Sequence, residues 1–520
     1  MFLYRLLKNN SELLFYISLL LVVASLPISR FGLSVGQLSI LTIWLIEGKY
    51  KEKVKALLAN KAALVLISFY FIHVLGLLYT TDFQYAMKDL RVKLPLLFLP
   101  VIFATTKPLS RDKTNLLLLV YIASVVVASL ISLGVYLFED VSDFRDLSPF
   151  ISHIRLSLNA CLAIFFAAHF AYTIFVRKRF ITILLSFIII WLYLFLIMIE
   201  SVTGVIIVWV VLYSLLIASL FRLKNLPLKI TSYLLIIAIP VVFGFYLTHT
   251  VNHFIHPHKN NLKNLEPSTS LGNSYHHDTV NLPVENGSYV GLYVCEQELR
   301  ASWNEISDLN YDGLDEREQD LKYTLIRYLN SRELRKDSKG VTKLSEKDIR
   351  NIEKGLANYY YTKPLSINSR LFKLLWEYQI SQRNGNPGGH SITQRFEFWK
   401  VSVAIINVNF MIGVGTGDIN QSYADKYESL NSMLVPQFRH RAHNQFLAIF
   451  VTFGVIGFMW FMISLIYPGL KMKKMYRYRY FVFWITLMLS MLVEDTLETQ
   501  MGVTLFAFFN ALLLFGTTED

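Results

Sequence analysis

Long apolar runs separated by short polar loops make up most of this chain. Twelve runs have the length and composition expected of helices that cross a bilayer. They lie at 13–29, 31–46, 62–79, 94–106, 115–138, 154–176, 180–199, 204–221, 230–248, 443–467, 480–494 and 501–516. The runs near 94 and 480 are short, so their ends are set only to within several residues. The pattern predicts an all-α polytopic membrane protein.

Composition and charge support this class and indicate a topology. Hydrophobic residues form 54% of 520 residues, and the mean hydropathy of +0.42 excludes an ordinary soluble protein. The formal charge is +12, but 21 Lys and Arg residues fall in alternate short loops, which predicts cytoplasmic loops and cytoplasmic termini. The intervening short loops hold only Arg30, Lys88, Arg91, Lys93 and Arg145. The basic charge therefore reflects membrane topology, and no nucleic-acid partner is expected.

A long polar region interrupts the spans and divides the chain into three parts. We expect transmembrane helices in 1–248, a periplasmic loop domain in 249–442 and the last transmembrane helices in 443–520. The loop is almost neutral, with 23 basic and 22 acidic residues. Its first part, 249–283, is rich in His, Asn, Ser and Pro, which predicts irregular structure. From about Tyr289 the pattern is helical, and a capping box at Ser345 and Asp348 precedes a helix that reaches Tyr361. The loop is expected to be a small, mostly helical domain.

The end of this loop predicts an amphipathic helix near 391–412. Ser391 and Gln394 resemble a second capping box, and Arg395 lies in the first turn. We expect this helix on the membrane surface or against the bundle, with an apolar stripe of Phe396, Trp399, Val403, Ile406 and Phe410. Gly413-Val414-Gly415-Thr416-Gly417 then ends the helix. This run follows no strand and lacks the spacing of a phosphate-binding loop, so it is interpreted as a turn.

The most informative segment is Arg439-His440-Arg441-Ala442-His443, at the start of the tenth span. Charges at the edge of a span are costly without a partner or a task. The positive end of a helix and two guanidiniums both disfavour an imidazolium, so His443 is expected to stay neutral and to accept a proton. The segment is a candidate base beside a candidate anion site.

Other outward-facing charges have a functional and a structural interpretation. Arg155 at the start of the sixth span either contacts a phosphate or extends to the interface. Arg395 either meets a bound anion or pairs with Glu397. Three acidic residues end the eleventh span, where they neutralise the arginines, orient an acceptor or simply close the span: Glu494, Asp495 and Glu498.

Two further groups are interpreted as structural. A solvated amphipathic loop explains Lys88, Arg91 and Lys93. The histidines at 249, 253, 256 and 258 lack a Cys or acidic residue at matching spacing, and Pro257 breaks any helix face, so no metal site is expected. The two cysteines, Cys161 and Cys295, have no CxxC spacing, and no disulfide framework is predicted.

Four stretches together resemble the O-antigen ligase family. They are Ile151 to Leu158; Arg395-x-x-x-Trp399 with Gly413 to Gly417; His443-Asn444-Gln445-Phe446-Leu447 with Gly454 and Gly457; and Glu494 to Gly502. Their order and spacing fit, so the resemblance covers most of the chain. Many relatives carry a Ser-Arg pair before the eighth span, whereas this chain has Ser201-Val202-Thr203-Gly204. Arg155 is the expected substitute for that arginine, and Arg91 is the reserve.

The resemblance implies a GT-C-type glycosyltransferase of the bacterial inner membrane that needs no metal or other cofactor. It would transfer a polysaccharide from undecaprenyl diphosphate to lipid A–core at the periplasmic face. His443 is the implied base; Arg155, Arg395, Arg439 and Arg441 are the implied diphosphate contacts. Supporting roles are expected for Arg91, Glu397, Trp399, Asn444, Glu494 and Glu498.

Three alternatives to that function remain open. An O-antigen polymerase and a protein O-oligosaccharyltransferase share the motifs. A transporter or flippase is disfavoured because the notable charges lie at outer span ends and the two halves of the chain are unequal.

Overall fold

The computed structural model describes residues 10–139, 144–174, 178–221, 224–257, 262, 265–362, 367–384 and 391–518. His258 and four of the 21 basic loop residues, Arg5, Lys8, Arg177 and Arg222, lie outside the described residues.

Most of the described chain is helical, and each of the twelve predicted spans coincides with a helix. The first eleven helices are α1 (Ser11–Ser25), α2 (Arg30–Glu47), α3 (Tyr50–Ala59), α4 (Lys61–Leu75), α5 (Phe83–Lys93), α6 (Pro95–Thr105), α7 (Arg111–Phe138), α8 (His153–Ile174), α9 (Arg179–Met198), α10 (Val202–Leu220) and α11 (Leu226–Ile255). The others are α12 (Glu296–Ile306), α13 (Leu321–Ser331), α14 (Ser338–Val341), α15 (Glu346–Glu353), α16 (Ile367–Asn384), α17 (Ser391–Val408), α18 (Ile419–Ser429), α19 (Gln445–Lys471), α20 (Tyr478–Met491) and α21 (Gln500–Phe515).

Seven of the described helices are long and apolar enough to cross a membrane. They are α4 with the 3₁₀ turn that extends it to Tyr79, α7, α8, α9, α10, α11 and α19. The helices α2 and α3 add an eighth if they form one broken span, since they are bent by 112°. The helices α1 and α21 are apolar but shorter. The chain is therefore a multi-pass membrane protein, and the twelve-span topology stays a prediction.

The chain forms two compact units, and the first contains most of the apolar helices. It comprises Met1–Ala218, Glu397–Ser432 and Arg439–Asp520. Within it α1 packs on α2, α8 on α9, α4 on α19 and α6 on α21. Every residue of α21 from Met501 to Phe515 is buried, as expected for a helix that is apolar all round. This central helix begins directly after the acidic residues 494–498.

The second unit, Ser219–Phe396 with Met433–Phe438, has its own core. Trp303, Tyr311, Leu325 and Leu329 are fully buried there. The predicted irregular segment is partly ordered, because α11 continues to Ile255 and two small antiparallel sheets follow. These sheets pair β1 (His276–Asp278) with β4 (Gly291–Val294), and β2 (Val284–Glu285) with β3 (Ser288–Tyr289). The helical pattern predicted from Tyr289 therefore begins only at Glu296.

The capping box at Ser345 and Asp348 is confirmed, but its helix is shorter than predicted. Both reciprocal bonds form at the start of α15. The helix ends at Glu353 because Gly355 adopts φ of 73°, a left-handed conformation that commonly terminates helices. A separate 3₁₀ turn covers Tyr359–Thr362.

The helix predicted near 391–412 is α17, and of the predicted apolar stripe only Ile406 is buried. Phe396, Val403 and Phe410 are 54%, 47% and 49% exposed, and α17 ends at Val408. The buried residues of α17 are Thr393, Phe398, Val401, Ser402, Ile405 and Ile406. Apolar residues occur on both faces, so the polar partner decides the packing: the Ser402 hydroxyl lies 2.7 Å from the Tyr423 hydroxyl.

The glycine run after α17 is more than a turn, because it forms backbone hydrogen bonds with α19 at a point where that helix is broken. Gly454 has φ of 61°, which interrupts the helical hydrogen bonds. The N–H groups of Val414 and Gly415 donate to the carbonyls of Val451 and Thr452 at 3.0 and 2.9 Å. The N–H of Val455 donates to the Phe410 carbonyl at 2.7 Å. Since unsatisfied backbone groups are costly in a bilayer, this exchange explains why both glycine motifs are needed.

The same loop fastens α4 and α5 to the broken helix. The Thr416 hydroxyl donates to the His73 carbonyl at 2.7 Å. One carboxylate oxygen of Asp418 accepts from the N–H groups of Thr81 and Asp82 at 2.9 and 2.8 Å, just before α5. The loop thereby sets the position of α5 relative to the break in α19.

Candidate active site

His443 does not begin a helix, as the sequence suggested, but lies directly before one. The cap of α19 is Asn444, whose side chain accepts from the N–H groups of Phe446 and Leu447. His443 has φ of 44°, in the left-handed region. Its ring lies 5.7 Å from the ring of Phe398 on α17 and 5.8 Å from the ring of His440. Burial and the neighbouring His443 lower the pKa of His440.

The segment around His443 is bonded to the turn between α20 and α21. The Asn444 N–H donates to Asp495 at 2.9 Å, and the Asn444 side-chain amide donates to the Leu492 carbonyl at 2.9 Å. The Leu497 N–H donates to the Gln445 side chain at 2.6 Å. Two motifs that are about fifty residues apart in sequence are therefore in direct contact.

Glu494 joins the predicted base to the predicted phosphate contact. One of its carboxylate oxygens lies 3.9 Å from Nδ1 of His443. Glu494 also lines a cleft with Arg155, Asn159, Ser490 and Thr496, whose remaining lining is apolar. A negative charge beside His443 opposes the effect of the arginines and the helix end, which the sequence analysis considered alone. Arg155, Glu494 and His443 thus converge from three separate elements.

Glu498 forms the centre of a buried ionic cluster beside this site. Its Oε2 accepts from Nζ of Lys93 at 3.1 Å and from Nη1 of Arg441 at 3.2 Å. Its Oε1 accepts from the Gln445 amide at 3.2 Å. Nζ of Lys93 also donates to both carboxylate oxygens of Asp89, at 2.7 and 2.8 Å. Glu498 therefore neutralises an arginine, which is one of the three roles that the sequence analysis considered for the acidic residues 494, 495 and 498.

The two carboxylates of this turn have opposite electrostatics. Burial opposes ionisation of Glu498, but the Lys93 and Arg441 cations lower the pKa of its carboxyl to about 2. Burial and the adjacent Glu498 charge raise the pKa of Asp495 to about 6, with His443 and Arg441 opposing that rise. Glu498 is therefore ionised at any physiological pH, whereas Asp495 titrates close to neutrality.

The remaining predicted residues occupy different environments. Trp399 on α17 donates through Nε1 to the Ala442 carbonyl at 2.9 Å, and the guanidinium of Arg439 lies 5.7 Å from the ring of Tyr427. Glu397 pairs with Lys400 at 3.5 Å, and Arg395 is partly buried in the first turn of α17. Arg91 is exposed on α5.

The solvated-loop interpretation of Lys88, Arg91 and Lys93 is wrong for Lys93. This segment is the helix α5, and Lys93 is 3% exposed, whereas Lys88 and Arg91 lie on its exposed side. The spacing of Asp89 and Lys93, four residues apart, was the one signal of a paired face. Nothing in the sequence indicated that Glu498 would meet that pair.

The loop Ser201 to Gly204, where many relatives carry a Ser-Arg pair, is tightly packed. Gly204 donates its N–H to the Ser201 hydroxyl at 3.1 Å, and its carbonyl accepts from the Cys161 thiol at 3.3 Å. A Cβ at Gly204 would come within 3.3 Å of Ser157 on α8, close to Arg155 in sequence. Arg155 remains the expected substitute for the arginine that is absent at this loop.

The histidines of the second unit follow one face of the last turns of α11. His249, His253 and His256 line an open surface depression with Asn252. Among the described residues, no group of three or more His, Cys, Asp or Glu side chains has an arrangement suited to a metal ion.

One family model matches the chain. Residues 362–462 match the model described as O-antigen ligase. The match spans α17, the glycine loop, the His443 segment and α19 as far as Met462, and it confirms the predicted resemblance for the two motif stretches that it contains. No curated protein matches the chain significantly.

Proposed function

We propose that this chain, which carries the O-antigen ligase domain over residues 362–462, attaches a polysaccharide to lipid A–core. The donor is the glycan linked to undecaprenyl diphosphate, and the reaction takes place at the periplasmic face of the inner membrane. In this topology twelve helices span the membrane, both termini are cytoplasmic and residues 249–442 are periplasmic. The observation that carries the proposal is the convergence of His443 and Arg155 on Glu494.

The proposed reaction is a direct displacement at the anomeric carbon. The acceptor hydroxyl oxygen forms the new glycosidic bond while the bond from that carbon to the diphosphate breaks. His443 takes the hydroxyl proton, and the diphosphate leaves with the bonding electrons. The diphosphate goes from a dianion in the donor to a trianion as it leaves, and fixed cations that stabilise this growing charge make a general acid unnecessary.

The arrangement around His443 assigns a role to each of its nitrogen atoms. A carboxylate on the Nδ1 side favours the tautomer that carries its proton there, which leaves Nε2 to accept from the acceptor hydroxyl. At 3.9 Å the two groups are beyond hydrogen-bond distance, so the orienting role that the acid has in hydrolytic triads requires them to move closer when substrate binds. Asn444 caps the start of α19 and thereby fixes where the helix begins, directly after His443.

Arg155 is the proposed diphosphate contact of the cleft, the family resemblance also implies Arg395 and Arg439, and Arg441 adds positive charge nearby. A cleft that has apolar walls and a guanidinium and a carboxylate among its polar residues suits an amphiphile with an anionic head. The donor lipid has this chemistry, which supports Arg155 as a contact of its diphosphate.

A deletion strain of the source bacterium tests the proposal. Full-length glycan that accumulates on the lipid carrier, with lipopolysaccharide reduced to its core, is the expected result. Lipopolysaccharide carrying a single repeat would instead show a polymerase, and loss of glycan from proteins alone would show a protein O-oligosaccharyltransferase. Complementation with the intact gene restores the glycan under the proposal, and complementation with His443→Ala does not.

A further inference from the structure

The backbone of His443 has a conformation that its neighbours must impose. A non-glycine residue with φ of 44° persists only where surrounding contacts hold it. The Tyr427 hydroxyl donates to the His440 carbonyl at 2.7 Å, and Trp399 donates to the Ala442 carbonyl at 2.9 Å. The Asn444 N–H donates to Asp495. The segment 440–444 is therefore bonded on both sides of the proposed base.

Arg441 gives this segment its side-chain attachment to the helical bundle. Its Nε donates to Asn420 at 3.0 Å, its Nη1 to Glu498 at 3.2 Å and its Nη2 to the Tyr85 hydroxyl. All three nitrogens thus have a protein partner. A guanidinium engaged in this way is a three-point anchor, and only two of its five N–H groups remain for any ligand.

The anchor is itself held in place by α5. The Glu498 oxygen that accepts from Arg441 also accepts from Lys93, and Asp89 orients Lys93 from one turn earlier on the same helix. Lys93 and Asp89 are 3% and 8% exposed, so water competes little for these contacts. The glycine loop fixes the start of α5 through Asp418. A continuous set of contacts therefore runs from α5 through Glu498 to the segment that carries His443.

We propose that Lys93, Glu498 and Arg441 are positioning residues that hold His443 in its left-handed conformation. Arg441 is then an anchor of the 440–444 segment and not a ligand of the diphosphate. This inference rests on the proposed function for the role of His443. It assigns a task to Lys93, which no motif of the chain singled out.

The test uses the full-length protein in lipid nanodiscs with two variants. Arg441→Lys keeps the charge balance of the cluster, so folding is preserved, but an ammonium group cannot make the three directed bonds. Glu498→Gln keeps the size of the side chain and removes the charge shared by Lys93 and Arg441. Lys88→Met is the matched control, because Lys88 is an exposed lysine of the same helix. The substrates are the lipid-linked glycan and core lipopolysaccharide extracted from a strain that lacks the gene.

Both variants are expected to lower kcat by about tenfold or more while KM for the lipid-linked donor stays within about twofold, since misplacing a catalytic group by an ångström slows the chemical step. Hydrogen–deuterium exchange of the peptide that covers 440–444 is expected to increase in both, and to be unchanged in Lys88→Met. An unchanged kcat, or a rise in KM for the donor in Arg441→Lys, would overturn the inference.

The exchange measurement separates this inference from the proposed function. If the wild-type protein transfers no glycan, the proposed function fails. Faster exchange at 440–444 in the two variants then still supports the anchoring contacts, and unchanged exchange contradicts them.

Discussion

Each of the two units buries an ionic network, and the two networks differ in what they hold. In the second unit, Arg327 donates through Nε and Nη2 to the two oxygens of Glu285, both at 3.0 Å. Asn358 adds a bond to Glu285 at 2.7 Å, and Trp376 stacks 3.5 Å from the Arg327 guanidinium. In the first unit, Glu498 is shared by Lys93, Arg441 and Gln445, and Arg441 belongs to the segment that carries a strained histidine.

The comparison shows that burial of charge does not by itself indicate a functional site. The Glu285 network is closed, because its donors satisfy the carboxylate within one domain core. A buried ion pair such as Arg327 and Glu285 stabilises the fold little more than two well-packed apolar residues would. Removing only one partner is strongly destabilising, because the other charge stays buried without a counter-ion. The Glu498 carboxylate is also satisfied by its donors, but Arg441 belongs to the segment that carries His443, so its disturbance should affect the chemistry as well as the fold.

The largest expected effect comes from breaking the closed network. Arg327→Met leaves Glu285, which is fully buried, without its cation, and should lower the free energy of unfolding by about 3–5 kcal/mol. Thermal unfolding of the full chain in detergent measures this. Arg300→Met removes an exposed pair with Asp312 and should leave the midpoint unchanged. Equal midpoints for the two variants would contradict the contrast between a buried and an exposed pair.

The break in α19 is the next strongest test, because the glycine loop positions both α5 and the His443 segment. Gly454→Ala places a Cβ against the backbone of Met411 and Ile412 at a left-handed conformation, which alone costs about 1–2 kcal/mol. Loss of most folded protein and of transfer is expected, measured by size-exclusion yield and by glycan transfer. Gly134→Ala, in the open interior of α7, should be neutral or slightly stabilising. A fully active Gly454→Ala variant would show that the break is dispensable.

Removal of the cleft cation should affect catalysis without affecting the fold. Arg155→Met is expected to reduce kcat/KM by about a hundredfold, the scale seen when one preorganised contact to developing charge is lost. Arg155→Lys keeps a cation and should recover part of that loss. Transfer rates and the thermal midpoint are measured together in nanodiscs. Wild-type activity in Arg155→Met would exclude Arg155 as the substitute for the missing family arginine.

The smallest expected effect is a pH dependence that comes from Asp495. Its pKa is raised in the folded protein to about 6, so its carboxyl contributes stability at low pH that is lost as the pH rises from about 4 to 6. The midpoint of the wild type relative to Asp495→Asn should therefore fall over this range and stay level above it. Glu498, with a pKa of about 2, remains ionised throughout the range. A difference that does not change with pH would contradict the assigned burial of Asp495.

The helices and the family were predictable because they depend on local patterns. Apolar runs placed every span-sized helix, and the capping box located α15. Length was less predictable: α6 and α20 are helices of 11 and 14 residues, shorter than a bilayer requires. The buried face of α17 was missed because apolar residues occur all round that helix and a single hydroxyl pair decides its orientation.

The residues of the site were predictable as types but not as contacts. His443, Arg155 and Glu494 stood out because charges at span ends are rare. Their convergence depends on the packing of α8, α19 and α20, which no spacing along the chain encodes. Lys93 was missed for the same reason, since a lysine on a short amphipathic helix is normally solvated, and only tertiary contacts with Glu498 show that it is buried.

The most direct test of the central claim is glycan transfer by purified His443→Ala in nanodiscs, with lipid-linked glycan and core lipopolysaccharide as substrates. Loss of a general base predicts a decrease in kcat of about 10²–10⁴-fold, with the thermal midpoint and the affinity for the donor unchanged. Transfer by His443→Ala at a rate within about tenfold of the wild type would contradict the assignment of His443 as the base.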